Sequence, residues 1–158
     1  MAWNVTMDAA IRHAIVTAYG ELPNGCRHAP ATEEQLQLFE KEFGPIPPDF
    51  RWFLAACGSG VCGSEWIDGI NDLPESHRKF LAESGIDGWS MRNVFIIGWD
   101  GAGNPFGIDQ LAGRILVEDH NYGGIHEVAN SFRELLVRGL GLDAEQSVKP
   151  NGGATGDL

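Results

Sequence analysis

Two β-rich runs flank a glycine-rich stretch in the segment NVFIIGWDGAGNPFGID, residues 93–109. Val, Ile and Phe dominate the first run, and Phe106 and Ile108 alternate with other residues in the second. Glycines between such runs supply the positive φ angles that tight turns need. The pattern predicts a β-hairpin, and its structural turn residues are expected to be Gly98, Gly101, Gly103 and Asp109.

A ligand-binding role for this loop fits the residues less well. A calcium loop needs oxygen ligands at alternate positions and a glutamate at the twelfth, but Gly101, Ala102 and Gly103 separate Asp100 from Asn104. A phosphate loop needs a helix after it, and here a strand-like run follows. The residues therefore favour a turn.

The remaining periodicity predicts helices before and after a group of strands. Apolar residues recur at helical spacing in five segments, and Thr32 and Gln35 can form a capping box. The predicted helices cover about residues 7–20, 32–44, 48–57, 73–85 and 128–140. Further strands are expected at VCGSEWI (61–67) and RILVED (114–119). The fold class is therefore α+β, with a mostly antiparallel sheet flanked by helices.

One domain accounts for most of the chain. The 158 residues suffice for a single core, and we assign residues 1–142 to one domain that includes the N-terminal helix. Residues 143–158 are almost devoid of apolar side chains, which predicts a flexible tail.

Net charge limits the classes of partner. The chain carries −11, and residues 61–128 contribute −7 of it through eleven acidic and four basic residues. Such a chain is a poor ligand for nucleic acids or anionic membranes, because both attract Lys and Arg. Two interpretations remain, a solvated surface or a docking face for a basic partner.

Cysteine usage and hydropathy predict a cytoplasmic location. No apolar run approaches the ~20 residues that span a bilayer, and the N-terminus lacks the basic and apolar regions of a secretory signal. The three cysteines are an odd number, which favours free thiols in a reducing compartment.

Two motif matches give little support for a nucleotide or metal site. GSGVCG, residues 58–63, has the letters of the dinucleotide pattern G-x-G-x-x-G, but a predicted helix precedes it and a strand follows. Pyrophosphate binding requires the opposite order, so no nucleotide cofactor is expected. Cys57 and Cys62 lack the two-residue gap of a zinc knuckle, so no metal is expected either, even with His120 and His126 as further candidates.

Catalysis receives equally weak support. A nucleophilic cysteine would need His120 beside it, oriented by a carboxylate such as Asp119, and no recognisable motif surrounds Cys57 or Cys62. Glu118 and Asp119 are neighbours in a predicted strand, where their side chains would face opposite ways. We therefore expect no catalytic residues.

Three segments resemble the SUKH superfamily. They are FGPIPPDFRWFLAACGSG (43–60), IIGWDGAGNPFGID (96–109) and VANSFRELL (128–136), within a similarity that covers about residues 32–140. CGSG stands where this family often has Asn-Gly-Gly. The resemblance implies an α+β domain without catalytic residues or cofactors. It also implies a binding role, since many bacterial members are similar to immunity proteins that neutralise polymorphic toxins, often nucleases, and eukaryotic members are regulatory scaffolds.

These observations combine into a functional hypothesis. Nuclease toxins present Lys and Arg to phosphates, so an acidic protein can block them by occlusion. A regulatory or scaffold role in another pathway is the alternative. The expected partner-binding residues combine acids of residues 61–128 with nearby tryptophans: Glu65, Trp66, Asp68, Asp72, Asp87, Trp89, Trp99 and Asp100.

Overall fold

The computed structural model describes residues 7–142. The predicted flexible tail, residues 143–158, lies outside the described residues, as do residues 1–6. Among residues 7–142, no helix is long and apolar enough to cross a lipid bilayer.

Three α-helices precede the strands, as the periodicity predicts. Asp8 caps the first by accepting a hydrogen bond from Ile11 N at 2.9 Å. The predicted capping box at Thr32 and Gln35 is confirmed, and a proline opens the third helix. The three helices are α1 (Ala9–Gly20), α2 (Glu33–Phe43) and α3 (Pro48–Ala56).

A short hairpin replaces the predicted strand at residues 61–67. Strands β1 (Val61–Cys62) and β2 (Glu65–Trp66) pair antiparallel, and Gly63 has a φ of +64° between them. The backbone of Gly63 donates a hydrogen bond to Gly139 O at 3.0 Å. This bond fixes the β1–β2 hairpin to the last helix. Around residues 58–63 a helix precedes a strand, as predicted, which is the opposite of the order that dinucleotide binding requires.

The main sheet is an antiparallel meander, which confirms the predicted class. Its strands lie in chain order, β3-β4-β5-β6. They comprise β3 (Val94–Trp99), β4 (Pro105–Asp109), β5 (Ile115–Glu118) and β6 (Ile125–Ala129).

Strand β6 was missed by the sequence prediction, which began the last helix at Val128. Helix α5 begins only at Phe132 and ends at Gly139, after Ser131 caps it. Val128, the first residue of that predicted helix, lies on β6 with 37% of its surface exposed. As an edge strand with four exposed residues, β6 lacks the apolar alternation by which strands are recognised.

Helices flank the sheet and share its core. Helix α4 (Leu73–Glu83) packs on β3, and α5 packs on β6 and β1. Aromatic rings join the layers: Phe50 lies 5.9 Å from Phe95 of β3 and 5.5 Å from Phe132 of α5, between ring centroids. Phe50 therefore connects α3 to both the sheet and the last helix.

The predicted β3–β4 hairpin is present. The four residues predicted to form its turn differ in position and conformation. Gly103 has a φ of +87°, as a turn glycine should, whereas Gly101 lies in the turn without a positive φ. Gly98 is not in the turn: it lies in β3 beside a bulge, where a Cβ would come within 2.7 Å of the Phe106 ring. Asp109 ends β4 and accepts a hydrogen bond from Leu111 N at 3.0 Å, in the following turn.

Candidate partner-binding surface

The structure does not bring the eight predicted partner-binding residues into one cluster. One group lies where β2 leads to α4, a second surrounds a cleft beside Trp89, and a third lines a small pocket beside β4. Their positions follow from the loops that connect α4, β3, β4 and the β1–β2 hairpin.

The first group joins Trp66, Asp72 and a residue that the sequence did not single out. Trp66 is 46% exposed, and its ring lies 5.7 Å from that of His28. His28 Nε2 lies 3.6 Å from Asp72 Oδ2. An exposed indole and a carboxylate therefore both lie beside the His28 ring.

Asp68 does not present its charge to a partner. Burial raises the pKa of its carboxyl group to about 6, although the Ser76 hydroxyl lowers it and Asp72 adds a further increase. Ser76 Oγ donates to Asp68 Oδ2 at 2.5 Å, and the Asp68 backbone N–H donates to Ile97 O. Asp68 therefore connects α4 to β3.

The second group surrounds a cleft of about 660 Å³ between three loops. Residues after α4, the β3–β4 turn and the β5–β6 loop form its walls. Trp89 Nε1 donates to Glu83 Oε1 at 3.1 Å, and the Trp89 ring lies 5.9 Å from that of Trp99 and 6.2 Å from that of His120. Four carboxylates line the cleft: Glu83, Asp87, Glu118 and Asp119.

Backbone amides hold two of these carboxylates. Glu118 is buried and accepts hydrogen bonds from the N–H groups of Ser90 and Met91. Hydrogen bonds from the backbone of Tyr122 and Asn121 lower the pKa of Asp119. Both carboxylates organise the loops, and Asp119 stays charged at neutral pH.

Trp99 is less available than the prediction assumed. It is partly buried, and Lys79 Nζ lies 4.1 Å from the centre of its ring, a cation–π contact. The apolar groups that do face solvent near the cleft are Ile86, beside Asp87, and Tyr122, beside Gly123. Ile86 is 101% exposed and Tyr122 90%.

Glu65 and Asp100 line the third site, a pocket of about 130 Å³ with mostly apolar walls. Asp100 also shapes the β3–β4 turn, because its Oδ1 accepts hydrogen bonds from Ala102 N and Asn104 N. The pocket and the cleft meet the same hairpin loop, since Ala102 and Gly103 line the cleft.

Few basic groups balance the predicted acids. Within residues 7–142, no Lys or Arg nitrogen lies within 4.0 Å of a carboxylate oxygen of Glu65, Asp68, Asp72, Asp87 or Asp100. Three of the four glutamates of α2, by contrast, have arginine partners. Arg51 pairs with both Glu33 and Glu40, and Arg78 pairs with Glu42. Most of the acidic charge on α2 is therefore compensated, unlike that of the predicted partner-binding acids.

Burial disfavours thiol chemistry at the two cysteines considered above. It raises the pKa of Cys57 to about 11 and that of Cys62 to about 12, so both remain thiols at neutral pH. His120 instead bonds Asn104 Oδ1 through its Nδ1. Within the described part of the chain, no group of three or more His, Cys, Asp or Glu side chains is arranged to hold a metal ion.

Several surface residues escaped sequence reasoning. His28, Ile86 and Tyr122 lie in irregular segments without periodicity. Glu83 and Asp119 fall inside the acidic segment, and its charge excess was the signal that could have selected them. Their proximity to Trp89 depends on loop conformations.

The fold and this surface define the class of protein. It is an α+β domain with a four-stranded antiparallel meander, helices packed against the sheet and an acidic, partly aromatic surface. The chain belongs to the SMI1 / KNR4 family (SUKH-1), whose model matches residues 30–138. The match runs from just before α2 into α5 and so contains the hairpin and every predicted partner-binding residue. It confirms the resemblance found in the sequence. A comparison with curated proteins found no match.

Proposed function

We propose that this protein is a non-catalytic, cytoplasmic immunity protein that neutralises a toxin domain by occluding a basic surface on it. Family membership supports a protein-binding role. The observation that carries the proposal is the set of exposed or half-exposed carboxylates at Glu65, Asp72, Asp87 and Asp100, which have no Lys or Arg partner within residues 7–142.

Electrostatics gives these carboxylates a role in association. Like charges on one surface repel each other and, without basic partners, do not stabilise the fold by ion pairing, but they attract a basic partner over the ~8 Å Debye length of physiological salt. A nuclease that binds phosphates must expose Lys and Arg. Attraction between the two surfaces speeds the encounter and selects against acidic partners.

Exposed apolar side chains supply the complementary part of an interface. Trp66, Ile86 and Tyr122 are 46%, 101% and 90% exposed. Large aromatic and aliphatic groups surrounded by polar residues are typical of interface hot spots. They would stabilise the complex after the acidic groups have guided its formation.

The experiment uses the product of the gene adjacent to this one, which the proposal expects to contain a toxin domain. Purified full-length protein should form a stoichiometric complex with that domain and abolish its activity. The triple variant Glu65→Gln, Asp87→Asn, Asp100→Asn should inhibit less well. The control Glu21→Gln, Glu34→Gln, Glu42→Gln removes the same charge elsewhere and should inhibit like the parent.

The outcomes separate the two functional classes. A complex that inhibits the toxin supports immunity. An adjacent toxin that neither binds nor is inhibited contradicts it and favours a regulatory or scaffold role. Equal inhibition by both triple variants would contradict the acidic surface as the binding site.

A further inference from the structure

A small pocket opens between the β1–β2 hairpin, the main sheet and α5. Its volume of about 130 Å³ is similar to that of an engineered protein cavity of ~150 Å³ that accepts a benzene-sized group. The hairpin is held in place by the Gly63–Gly139 hydrogen bond at 3.0 Å. Cys62 Sγ adds a second contact by donating to Leu135 O at 3.5 Å.

The depth of the pocket is apolar. Cys62, Ile67 and Phe106 are 5%, 1% and 5% exposed and form its floor. Val117 and Val128 line the wall on the sheet side. An aliphatic chain placed here would exchange water for carbon on most sides, which stabilises it by ~25 cal/mol per Å² of apolar area.

Two half-exposed carboxylates, Glu65 and Asp100, also line the pocket. Neither has a Lys or Arg nitrogen within 4.0 Å in the described part of the chain. Asp100 Oδ1 already accepts two backbone hydrogen bonds, whereas its Oδ2 accepts only the Asn104 amide, at 3.2 Å. Glu65 Oε2 accepts a long bond of 3.5 Å from Ser64. Both carboxylates can accept further hydrogen bonds.

We propose that this pocket receives one long basic side chain, lysine or arginine, from the protein partner. The aliphatic stem lies against Ile67 and Phe106, and the cationic end lies between Glu65 and Asp100. Long basic side chains combine these two parts, and charge-assisted hydrogen bonds to carboxylates are strong. A purely apolar group would instead desolvate both carboxylates without replacing their hydrogen bonds.

This inference rests on the proposed function for the identity of the partner. Its first test needs only this protein and a small-molecule probe. The probe is n-butylguanidinium chloride, titrated into the ¹⁵N-labelled full-length protein and followed through backbone amide shifts. Shifts should concentrate at Ile67, Asp100 and Val128. n-Butanol, which lacks the charge, and methylguanidinium, which lacks the stem, should each bind at least about fivefold more weakly.

Two variants test the two halves of the pocket. Glu65→Gln with Asp100→Asn removes the charges and keeps the Asx turn, and it should raise the dissociation constant about fivefold or more. Val128→Phe, at an exposed edge-strand position, should obstruct the pocket and weaken binding similarly. The double variant Glu21→Gln, Glu34→Gln should bind the probe like the parent protein.

The results distinguish this proposal from the one before it. Butylguanidinium shifts spread evenly over the acidic surface, or equal affinity for butanol, would overturn the pocket proposal and leave the immunity function untouched. Localised probe binding that both pocket variants weaken would support the pocket, even if the adjacent toxin does not bind.

Discussion

Asp100 Oδ1 accepts a hydrogen bond from the backbone N–H of Asn104 at 2.9 Å. The same oxygen accepts from Ala102 N, so one carboxylate closes the β3–β4 turn while its charge faces the small pocket. An asparagine at position 100 would keep the turn-closing hydrogen bonds and lose the negative charge, because its side-chain oxygen accepts the same bonds and is neutral.

This dual role predicts different outcomes for two substitutions at one position. Asp100→Ala should lower the free energy of unfolding by about 1–2 kcal/mol, because two turn N–H groups lose their acceptor. Asp100→Asn should stay within ~0.5 kcal/mol of the parent. Urea denaturation of the two variants and the parent measures both. Equal stability of Ala and Asn variants would contradict the turn role.

Two glycines of the same turn should respond differently to alanine. Gly103 has a φ of +87°, so Gly103→Ala should cost about 1 kcal/mol of stability through backbone strain. Gly101 lacks a positive φ and has open space around its Cα, so Gly101→Ala should change stability by less than ~0.5 kcal/mol. Thermal melts compare them directly, and similar losses at both positions would refute this assignment.

The buried carboxyl of Asp68 should make stability depend on pH. Its pKa in the folded protein is raised to about 6 from 3.8, so the folded state binds more protons than the unfolded state between these values. Stability contributed by this group is therefore present below about pH 4 and is lost as the pH rises toward 6.

Replacing this carboxyl isolates its effect. Asp68→Asn should be more stable than the parent by about 2–3 kcal/mol at pH 7, at ~1.4 kcal/mol per pKa unit. The gain should vanish near pH 4. Denaturation at both pH values tests this, and a variant less stable than the parent at pH 7 would contradict it. NMR titration of Asp68 gives its pKa independently.

Much of the fold could be predicted because local patterns and packing agree. The capping box at Thr32 predicted α2 correctly. The two β-rich runs around the glycine-rich turn predicted the β3–β4 hairpin correctly. Strand β6 could not be found this way, because four of its five residues are exposed and it is a strand only by pairing with β5.

The candidate surface was predicted in composition but not in arrangement. The charge excess located most of its acids, yet Asp68 is held by Ser76 inside the fold and Trp99 is covered by Lys79. Burial and cation–π contacts depend on which helix packs on which strand. Sequence spacing alone does not give that information.

Tyr122 should contribute to binding through apolar contact. It is 90% exposed and adjoins the cleft, so Tyr122→Ala should weaken the complex with the toxin domain by at least about tenfold, as expected for a hot spot. Leu81→Ala is the matched control, since Leu81 is 66% exposed on α4. Calorimetry of both variants measures the change, and equal losses would argue against an interface centred on the cleft.

The central claim is that uncompensated carboxylates guide a basic toxin onto this surface. The most direct measurement is the association rate constant with the toxin domain at low and high salt, for the parent and both triple variants. The account predicts a parent rate that falls steeply with salt, and a slower rate with a flatter salt dependence for Glu65→Gln, Asp87→Asn, Asp100→Asn. The control Glu21→Gln, Glu34→Gln, Glu42→Gln should retain most of the parent's salt dependence. A parent rate that does not change with salt, or equal slowing by both variants, would contradict the claim.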